Sequence, residues 1–152
     1  MRKIILLLCG IVLFSCSESD NNSTIPKMPV NLELDLGDLF LDSELNRSLA
    51  FKIYTQPRFP SDKLGFGGII VINGSLNNQV NLYAYDLSCP VEAQNNVRII
   101  PNHHYSATTA SCPTCGSVFN ISDGTGAPQS GTKLYLKSYK VTGSGTQYTV
   151  TN

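Results

Sequence analysis

The sequence contains no tryptophan, only two histidines and few charged residues, which make up 14% of its 152 residues. Its eleven lysines and arginines balance eleven aspartates and glutamates, so the formal net charge is zero. The basic residues form no patch and do not alternate with aromatic residues, as they do on many nucleic-acid-binding surfaces. The composition therefore argues against a nucleic-acid partner.

Long apolar runs are also scarce, because only residues 4–14 form one. The run follows two basic residues and is too short for a membrane-crossing helix, which needs about 20 apolar residues. It therefore predicts a secretion signal. Its end, Leu13-Phe14-Ser15-Cys16, resembles the lipobox of bacterial lipoproteins, in which a small residue precedes an acylated cysteine. We predict that residues 1–15 are removed and that Cys16 carries lipid.

The N-terminal signal also predicts the organisation and location of the chain. Residues 16–27 are polar and contain too little apolar surface to offset the entropy of ordering, so they are expected to form a flexible tether. Residues 28–152 then form one domain. Each acyl methylene contributes roughly 0.8 kcal/mol of membrane affinity. We expect the protein in the cell envelope, anchored to a membrane, with an envelope protein as its partner.

The hydrophobic pattern of the domain predicts an all-β sandwich or barrel of short antiparallel strands. One exception is residues 39–49, which predict a short helix capped by Asp38. Asn73-Gly74 predicts a hairpin turn. Alternating or β-branched segments predict strands at residues 30–36, 69–72, 80–87, 97–100, 105–109, 134–141 and 147–151.

Of the five cysteines, Cys9 leaves with the signal and Cys16 takes lipid, so Cys89, Cys112 and Cys115 remain for the domain. A Cys-Pro-x-Cys-Gly turn can place two thiolates at metal-ligand distance while its amides point towards the sulfurs. A third thiolate from a neighbouring loop would supply three of four ligands for zinc or iron. Because the compartment is oxidising, one disulfide with one thiol left over is an alternative.

Nine residues between the first cysteine and the last predicted hairpin stand in a characteristic order and spacing: Cys89, Cys112, Gly116, Ser117, Phe119, Gly124, Gly126, Pro128 and Leu134. On this order and spacing, residues 69–141 resemble a Rieske domain, in which two cysteine-bearing loops at the end of β-strands hold a 2Fe–2S cluster. The resemblance implies three stacked antiparallel sheets, a small ligand-bearing subdomain at one end, and electron transfer as the function.

The ligand set departs from the Rieske pattern, which uses two cysteines and two histidines. The first histidine position holds Val91, which cannot ligate, and the second holds Cys115. Glu92 or water is then the candidate for a further ligand. His103 and His104 fall in the turn of a predicted hairpin, roughly 13 Å of strand away from the cysteine end. They are therefore expected to be exposed turn residues.

Three states of the cysteine cluster remain open: a disulfide-bonded relic without cofactor, a single zinc or iron ion, and an iron–sulfur cluster with an altered ligand shell. The first predicts a structural or binding module, and the others predict electron transfer to an envelope partner. Asp86 could polarise a thiol or cap a loop. Because no catalytic constellation is present, the chain is expected to be at most the electron-transfer component of an oxidoreductase.

Overall fold

The computed structural model describes residues 23–77 and 79–152. The predicted signal and Cys16 lie outside the described residues. Within the described part of the predicted tether, Ile25 is buried and the Thr24 hydroxyl donates a hydrogen bond to the Pro90 carbonyl. No helix among the described residues has the length and apolar character needed to cross a membrane.

The described residues form short antiparallel β-strands and one 3-10 helix, Ser43–Asn46. The predicted all-β class is therefore confirmed. The strands are β1 (Val30–Asp35), β2 (Phe51–Tyr54), β3 (Lys63–Leu64), β4 (Ile69–Asn73), β5 (Leu82–Asp86), β6 (Ile100–Pro101), β7 (Thr109–Ser111), β8 (Val118–Asn120), β9 (Pro128–Ser130), β10 (Ser138–Ser144) and β11 (Gln147–Thr151).

Hydrogen bonding arranges these strands into two sheets. The larger has the order β2-β4-β5-β10-β11-β1-β3, and the smaller has the order β6-β7-β8-β9. Strand β10 joins two halves of the larger sheet, because Ser138 and Tyr139 pair with β5 whereas residues 140–144 pair with β11. The larger sheet therefore behaves as two connected layers.

Two hydrophobic cores separate the layers, and β4 contributes to both. Ile69 and Val71 pack in the first core with residues of β1 and β11, whereas Ile70 and Ile72 pack in the second core with Phe119 of β8. Successive side chains of a strand point to opposite faces, so a strand buried on both faces reads as a continuous apolar run. The resulting three layers agree with those that the Rieske resemblance implies.

The helix predicted at residues 39–49 is wrong. The segment is a loop with one short 3-10 helix, in which Leu45 is the buried side chain. Leu39 is 83% exposed and Phe40 is 95% exposed. Because these apolar side chains do not lie along one buried stripe, a regular helix would gain little from packing.

Polar contacts of two aspartates shape the same loop. Asp38 accepts a hydrogen bond from the Phe40 amide at 2.7 Å, so it holds a tight Asx turn and does not cap a helix. Asp42 is buried and accepts hydrogen bonds from the Tyr54 hydroxyl at 2.7 Å and from the Arg58 guanidinium at 2.9 Å. These long-range contacts position the loop against β2.

The predicted hairpins form, with shifted boundaries. The β4–β5 connection is longer than a two-residue turn, since β4 ends at Asn73 and β5 begins at Leu82. The Asn73 side-chain oxygen holds this loop by accepting hydrogen bonds from the amides of Ser75 and Asn81, each at 3.1 Å. The last hairpin is tighter than predicted, since Ser144 already pairs with Gln147. The short strands β2, β3, β8 and β9 were not predicted.

Candidate metal centre

The first cysteine lies just beyond β5, where the chain leaves the sheet. The Cys89 amide donates a hydrogen bond to the Val97 carbonyl, and the Cys89 carbonyl accepts one from the Ala93 amide, both at 2.9 Å. Ala93 adopts a left-handed backbone with φ of 50°, which lets the loop turn back. The Cys89 side chain is buried in the second core.

Asp86 fixes the strand end that leads to this loop. Its buried carboxylate accepts hydrogen bonds from the amides of Phe66 at 2.8 Å, Gly67 at 3.1 Å and Ser88 at 2.8 Å, and from the Tyr139 hydroxyl at 2.7 Å. Burial, followed by the neighbouring carboxylate, raises the pKa of Tyr139 well above its usual range. These contacts identify Asp86 as a loop cap, because a buried carboxylate needs several donors.

The other two cysteines lie in the turn between β7 and β8. The Cys112 amide donates to the Ser117 carbonyl at 2.9 Å, and the Gly116 amide donates to the Cys112 carbonyl at 3.0 Å. Gly116 has a φ of 72°, a left-handed conformation that glycine adopts without a steric penalty. The chain therefore closes into a tight loop that returns Cys115 to the neighbourhood of Cys112.

The structure brings all three sulfurs together from these two separated stretches. The Sγ atoms of Cys89, Cys112 and Cys115 lie within 4.8 Å of one another, and those of Cys89 and Cys115 are 3.6 Å apart. Two thiolates on one tetrahedral metal ion, each with a bond of about 2.3 Å, lie roughly 3.8 Å apart. The three cysteines are free thiols, and the cluster could hold a metal ion.

The three thiols differ in environment. Cys89 and Cys112 are buried, whereas Cys115 is partly exposed. Burial raises the pKa of the Cys89 thiol to about 12, although backbone hydrogen bonds from Glu92 and Val91 act in the opposite direction. Partial burial also acts to raise the pKa of Cys115. Hydrogen bonding with Ser117 and the other cysteines outweighs it and lowers that pKa. Cys115 therefore ionises more readily than Cys89.

The donor set supplies three ligands, one fewer than the four that a tetrahedral ion or a 2Fe–2S cluster takes. Among residues 23–77 and 79–152, no histidine, aspartate or glutamate atom joins the three sulfurs in one group. His103 and His104 are exposed in the β6–β7 connection, where the sequence predicted a turn. A 2Fe–2S cluster takes four protein ligands. Thiolates are soft donors that suit zinc and iron, and three of them occupy three of four tetrahedral positions.

The contact between Ser117 and the cluster was not predicted from the sequence. The Cys115 thiol donates a hydrogen bond to the Ser117 hydroxyl at 3.2 Å, and Ser117 is fully buried. The backbone of Gly131 packs closely against this serine. A Cβ atom added at Gly131 would lie only 2.8 Å from the Ser117 Cα. The sequence indicates Ser117 only as a small polar residue after Cys-Pro-x-Cys-Gly and as part of the order that carries the Rieske resemblance, and neither shows where its hydroxyl points.

No protein-family model matches the chain, and a comparison with curated proteins gave no match. Among solved structures, the chain is similar to one from a complex of reduced oxygenase and oxidized ferredoxin in carbazole 1,9a-dioxygenase. The two share 15% sequence identity with a TM-score of 0.47, and the match covers 80% of this chain and 93% of that chain. A similarity of this extent identifies no family and assigns no function.

Proposed function

We propose that this protein binds one zinc or iron ion through Cys89, Cys112 and Cys115, and presents it from a lipid-anchored β-domain of the cell envelope. The observation that carries the proposal is the convergence of three sulfurs within 4.8 Å. Backbone hydrogen bonds fix both cysteine loops, so little ordering would accompany metal binding. With iron bound, the centre would exchange single electrons with an envelope partner.

The Rieske resemblance supports the electron-transfer part of the proposal, but the spacing of the three sulfurs, all within 4.8 Å of one another, favours one shared ion. Valine stands at the first histidine position and a cysteine at the second, so a two-iron cluster would lack one of its four protein ligands. A mononuclear iron centre would keep the redox function with the three thiolates and Glu92 or water as its fourth ligand. The protein would then be an electron-transfer component and not an enzyme by itself.

Metal analysis tests this function directly. The full chain, solubilised in detergent and purified without oxygen, should contain about one equivalent of zinc or iron and no acid-labile sulfide. Cys112→Ser should lose that metal, whereas Thr114→Ala, an exposed change in the same loop, should retain it. Two equivalents each of iron and acid-labile sulfide per chain would instead favour a 2Fe–2S cluster, and absence of any metal would count against both.

The proposed anchor would keep the cysteine loops near the membrane. Thr24 lies eight positions after Cys16, and a fully extended chain of that length spans at most roughly 30 Å. The Thr24 hydroxyl bonds to Pro90, the neighbour of Cys89. We expect Cys16→Ala to release the protein from the membrane fraction, and a fatty-acid label to enter the wild type alone. Equal membrane retention of both chains would contradict the anchor.

A second candidate function is a disulfide-stapled binding module without metal. The distance of 3.6 Å between the Cys89 and Cys115 sulfurs favours it, because a small movement would allow a bond of about 2.05 Å. Peptide mass mapping after alkylation without reductant separates the candidates. A bridged peptide pair containing Cys89 and Cys115 supports the module, whereas three alkylated cysteines after chelation support the metal centre.

A further inference from the structure

Access to the three thiols of the cluster is unequal. Cys89 is 0% exposed and Cys112 is 2% exposed, whereas Cys115 is partly exposed and follows the exposed residues Pro113 and Thr114. Thiol–disulfide exchange requires an accessible sulfur, because the attacking sulfur must come into direct contact with the sulfur that it attacks. A small disulfide from solvent therefore reaches the cluster first at Cys115.

A second thiol is in contact with this accessible sulfur. The Sγ atom of Cys89 lies 3.6 Å from that of Cys115, although Cys89 belongs to the separate loop after β5. A mixed disulfide is resolved when a neighbouring thiolate attacks its sulfur, so the thiol already in contact determines which bridge forms. Backbone hydrogen bonds fix both loops and hold the pair in place. The arrangement favours a bridge between Cys89 and Cys115, with Cys112 left as a thiol.

This bridge would remove ligands from a bound metal ion. It oxidises two of the three thiolates to a disulfide, whereas metal ligation requires thiolates. Cys112 would then supply one of the four ligands that a tetrahedral zinc ion takes. Among residues 23–77 and 79–152, no histidine, aspartate or glutamate atom joins the three sulfurs in one group, so none is in place to replace the two that are lost. The ion would leave the site.

We infer that a small disulfide oxidises this site and thereby releases its metal ion, so that the metal-bound and disulfide-bonded forms are two states of one reversible switch. The inference rests on the metal-binding function proposed above. The proposed export would place the site in an oxidising compartment, where disulfides form and persist. A reducing thiol would reverse the exchange and restore the three ligands.

The oxidation proceeds in two exchange steps. The Cys115 sulfur attacks the small disulfide, which breaks its S–S bond, forms a mixed disulfide at Cys115 and releases one thiolate. The Cys89 sulfur then attacks the Cys115 sulfur and displaces the second thiolate. The two cysteine sulfurs lose two electrons in total and the small disulfide gains both. Zinc leaves as Zn²⁺ with its charge unchanged.

Zinc release and disulfide mapping in the same samples test the inference. The full chain in detergent is loaded with zinc without oxygen, freed of excess metal, and treated with oxidised glutathione beside a chromogenic zinc chelator. Reduced glutathione is the control, because it can bind zinc but cannot oxidise a thiol. We expect about one zinc ion to be released per bridge formed, and to be bound again after the bridge is reduced. Fragmentation of the bridged peptides should show Cys112 as the alkylated cysteine.

Two variants of the metal-free chain test the order of the steps. Cys89→Ser keeps the accessible thiol but lacks the one in contact with it, so a mixed disulfide with glutathione at Cys115 should persist roughly tenfold longer than in the wild type. Thr114→Ala, an exposed change in the same loop, should form the bridge at a rate within about twofold of the wild type.

The other outcomes distinguish failure of the switch from failure of the metal site. A chain that binds zinc but forms no bridge would overturn the inference and leave the metal-binding function intact. Release without a bridge, equal release with reduced glutathione, or a bridge between Cys112 and Cys115 would do the same. Zinc that stays bound to the bridged chain would place the ion elsewhere and overturn both. Failure to load zinc would overturn the metal-binding function, and the inference with it.

Discussion

The sulfur of Cys89 lies 3.6 Å from the sulfur of Cys115, although one follows β5 of the large sheet and the other closes the turn between β7 and β8. Only Cys115 of the three thiols is partly exposed. Hydrogen bonding with Ser117 and the other two thiols outweighs partial burial and lowers its pKa. The two neighbours therefore share a site but differ in access and in ease of ionisation.

This difference predicts the order of alkylation in the reduced, metal-free chain. Iodoacetamide should modify Cys115 first, because the thiolate is the nucleophile and Cys115 combines exposure with a lowered pKa. Cys89 and Cys112 should react only on unfolding. Peptide mass spectrometry at timed intervals measures the order, and added zinc should protect all three. Modification of Cys89 as fast as Cys115 would contradict the buried placement of its sulfur.

The contact between Asp86 and Tyr139 predicts a stability effect at the base of the Cys89 loop. Tyr139→Phe should lower the free energy of unfolding by about 2 kcal/mol, since the buried carboxylate loses one charge-assisted donor. Asp86→Ala should cost about 3 kcal/mol, because it leaves buried donors unpaired. Urea unfolding measures both. Tyr135→Phe, at a partly exposed tyrosine, is the control and should change stability by less than about 0.5 kcal/mol.

Sequence reasoning predicted those parts of the fold in which local pattern and tertiary packing agree. The run Ile69–Ile72 predicts a strand because every side chain is apolar, and β4 is indeed buried on both faces. It failed at residues 39–49, where the buried carboxylate of Asp42 and its distant partners outweigh helix propensity. Strands of two or three residues, such as β3 and β9, are too short to show a period, and only their neighbours define them.

In the candidate site too, local sequence predicted some contacts, whereas contacts between distant residues could not be predicted from it. Spacing alone predicted that Cys112 and Cys115 share a turn, because the motif lies within five residues. That Cys89 joins them came from the resemblance and from the order of strands, since nothing local links residues 89 and 115. The hydrogen bond between Cys115 and Ser117 depends on the direction of a single hydroxyl. Such directions are set by packing, here by the approach of Gly131.

Buried tyrosines predict a loss of stability at alkaline pH. Burial makes the largest contribution to the raised pKa values of Tyr54, Tyr85 and Tyr139, and nearby carboxylates raise these pKa values further. In the unfolded chain tyrosine ionises near pH 10. Above that pH the unfolded chain loses protons that the folded chain keeps, so the free energy of unfolding falls as pH rises. Urea midpoints across this range, with tyrosinate absorbance, measure the effect.

Tyr85→Phe is the matched control for this alkaline loss. The Tyr85 hydroxyl is buried and forms no hydrogen bond of normal geometry with the described residues, although the Gly124 and Gly126 backbone lies near it, so its removal should cost little at neutral pH. The variant should nevertheless lose less stability than the wild type as pH rises above about 10. A wild-type free energy of unfolding that stays constant through this range would contradict the buried placement of the three hydroxyls.

Alanine substitutions at two glycines with similar left-handed backbones distinguish an effect on metal binding from an effect on folding stability. Gly116 has a φ of 72° in the cysteine turn and Gly145 has a φ of 63° in the β10–β11 turn, and a Cβ on either would meet no atom within 4 Å. Either glycine-to-alanine change should lower the metal-free stability by about 1 kcal/mol, because each forces a left-handed alanine. Only Gly116→Ala should also weaken the stabilisation by zinc, since it shifts the loop that carries two sulfurs.

Denaturant unfolding with and without zinc measures both effects in the same samples. Bound metal raises the free energy of unfolding by an amount that depends on its concentration relative to the dissociation constant. We expect the zinc-dependent increment of Gly145→Ala to equal that of the wild type, and that of Gly116→Ala to be smaller. If the two variants gained equally from zinc, the ion would be bound elsewhere than at the turn of Cys112 and Cys115, because only that turn distinguishes the two substitutions.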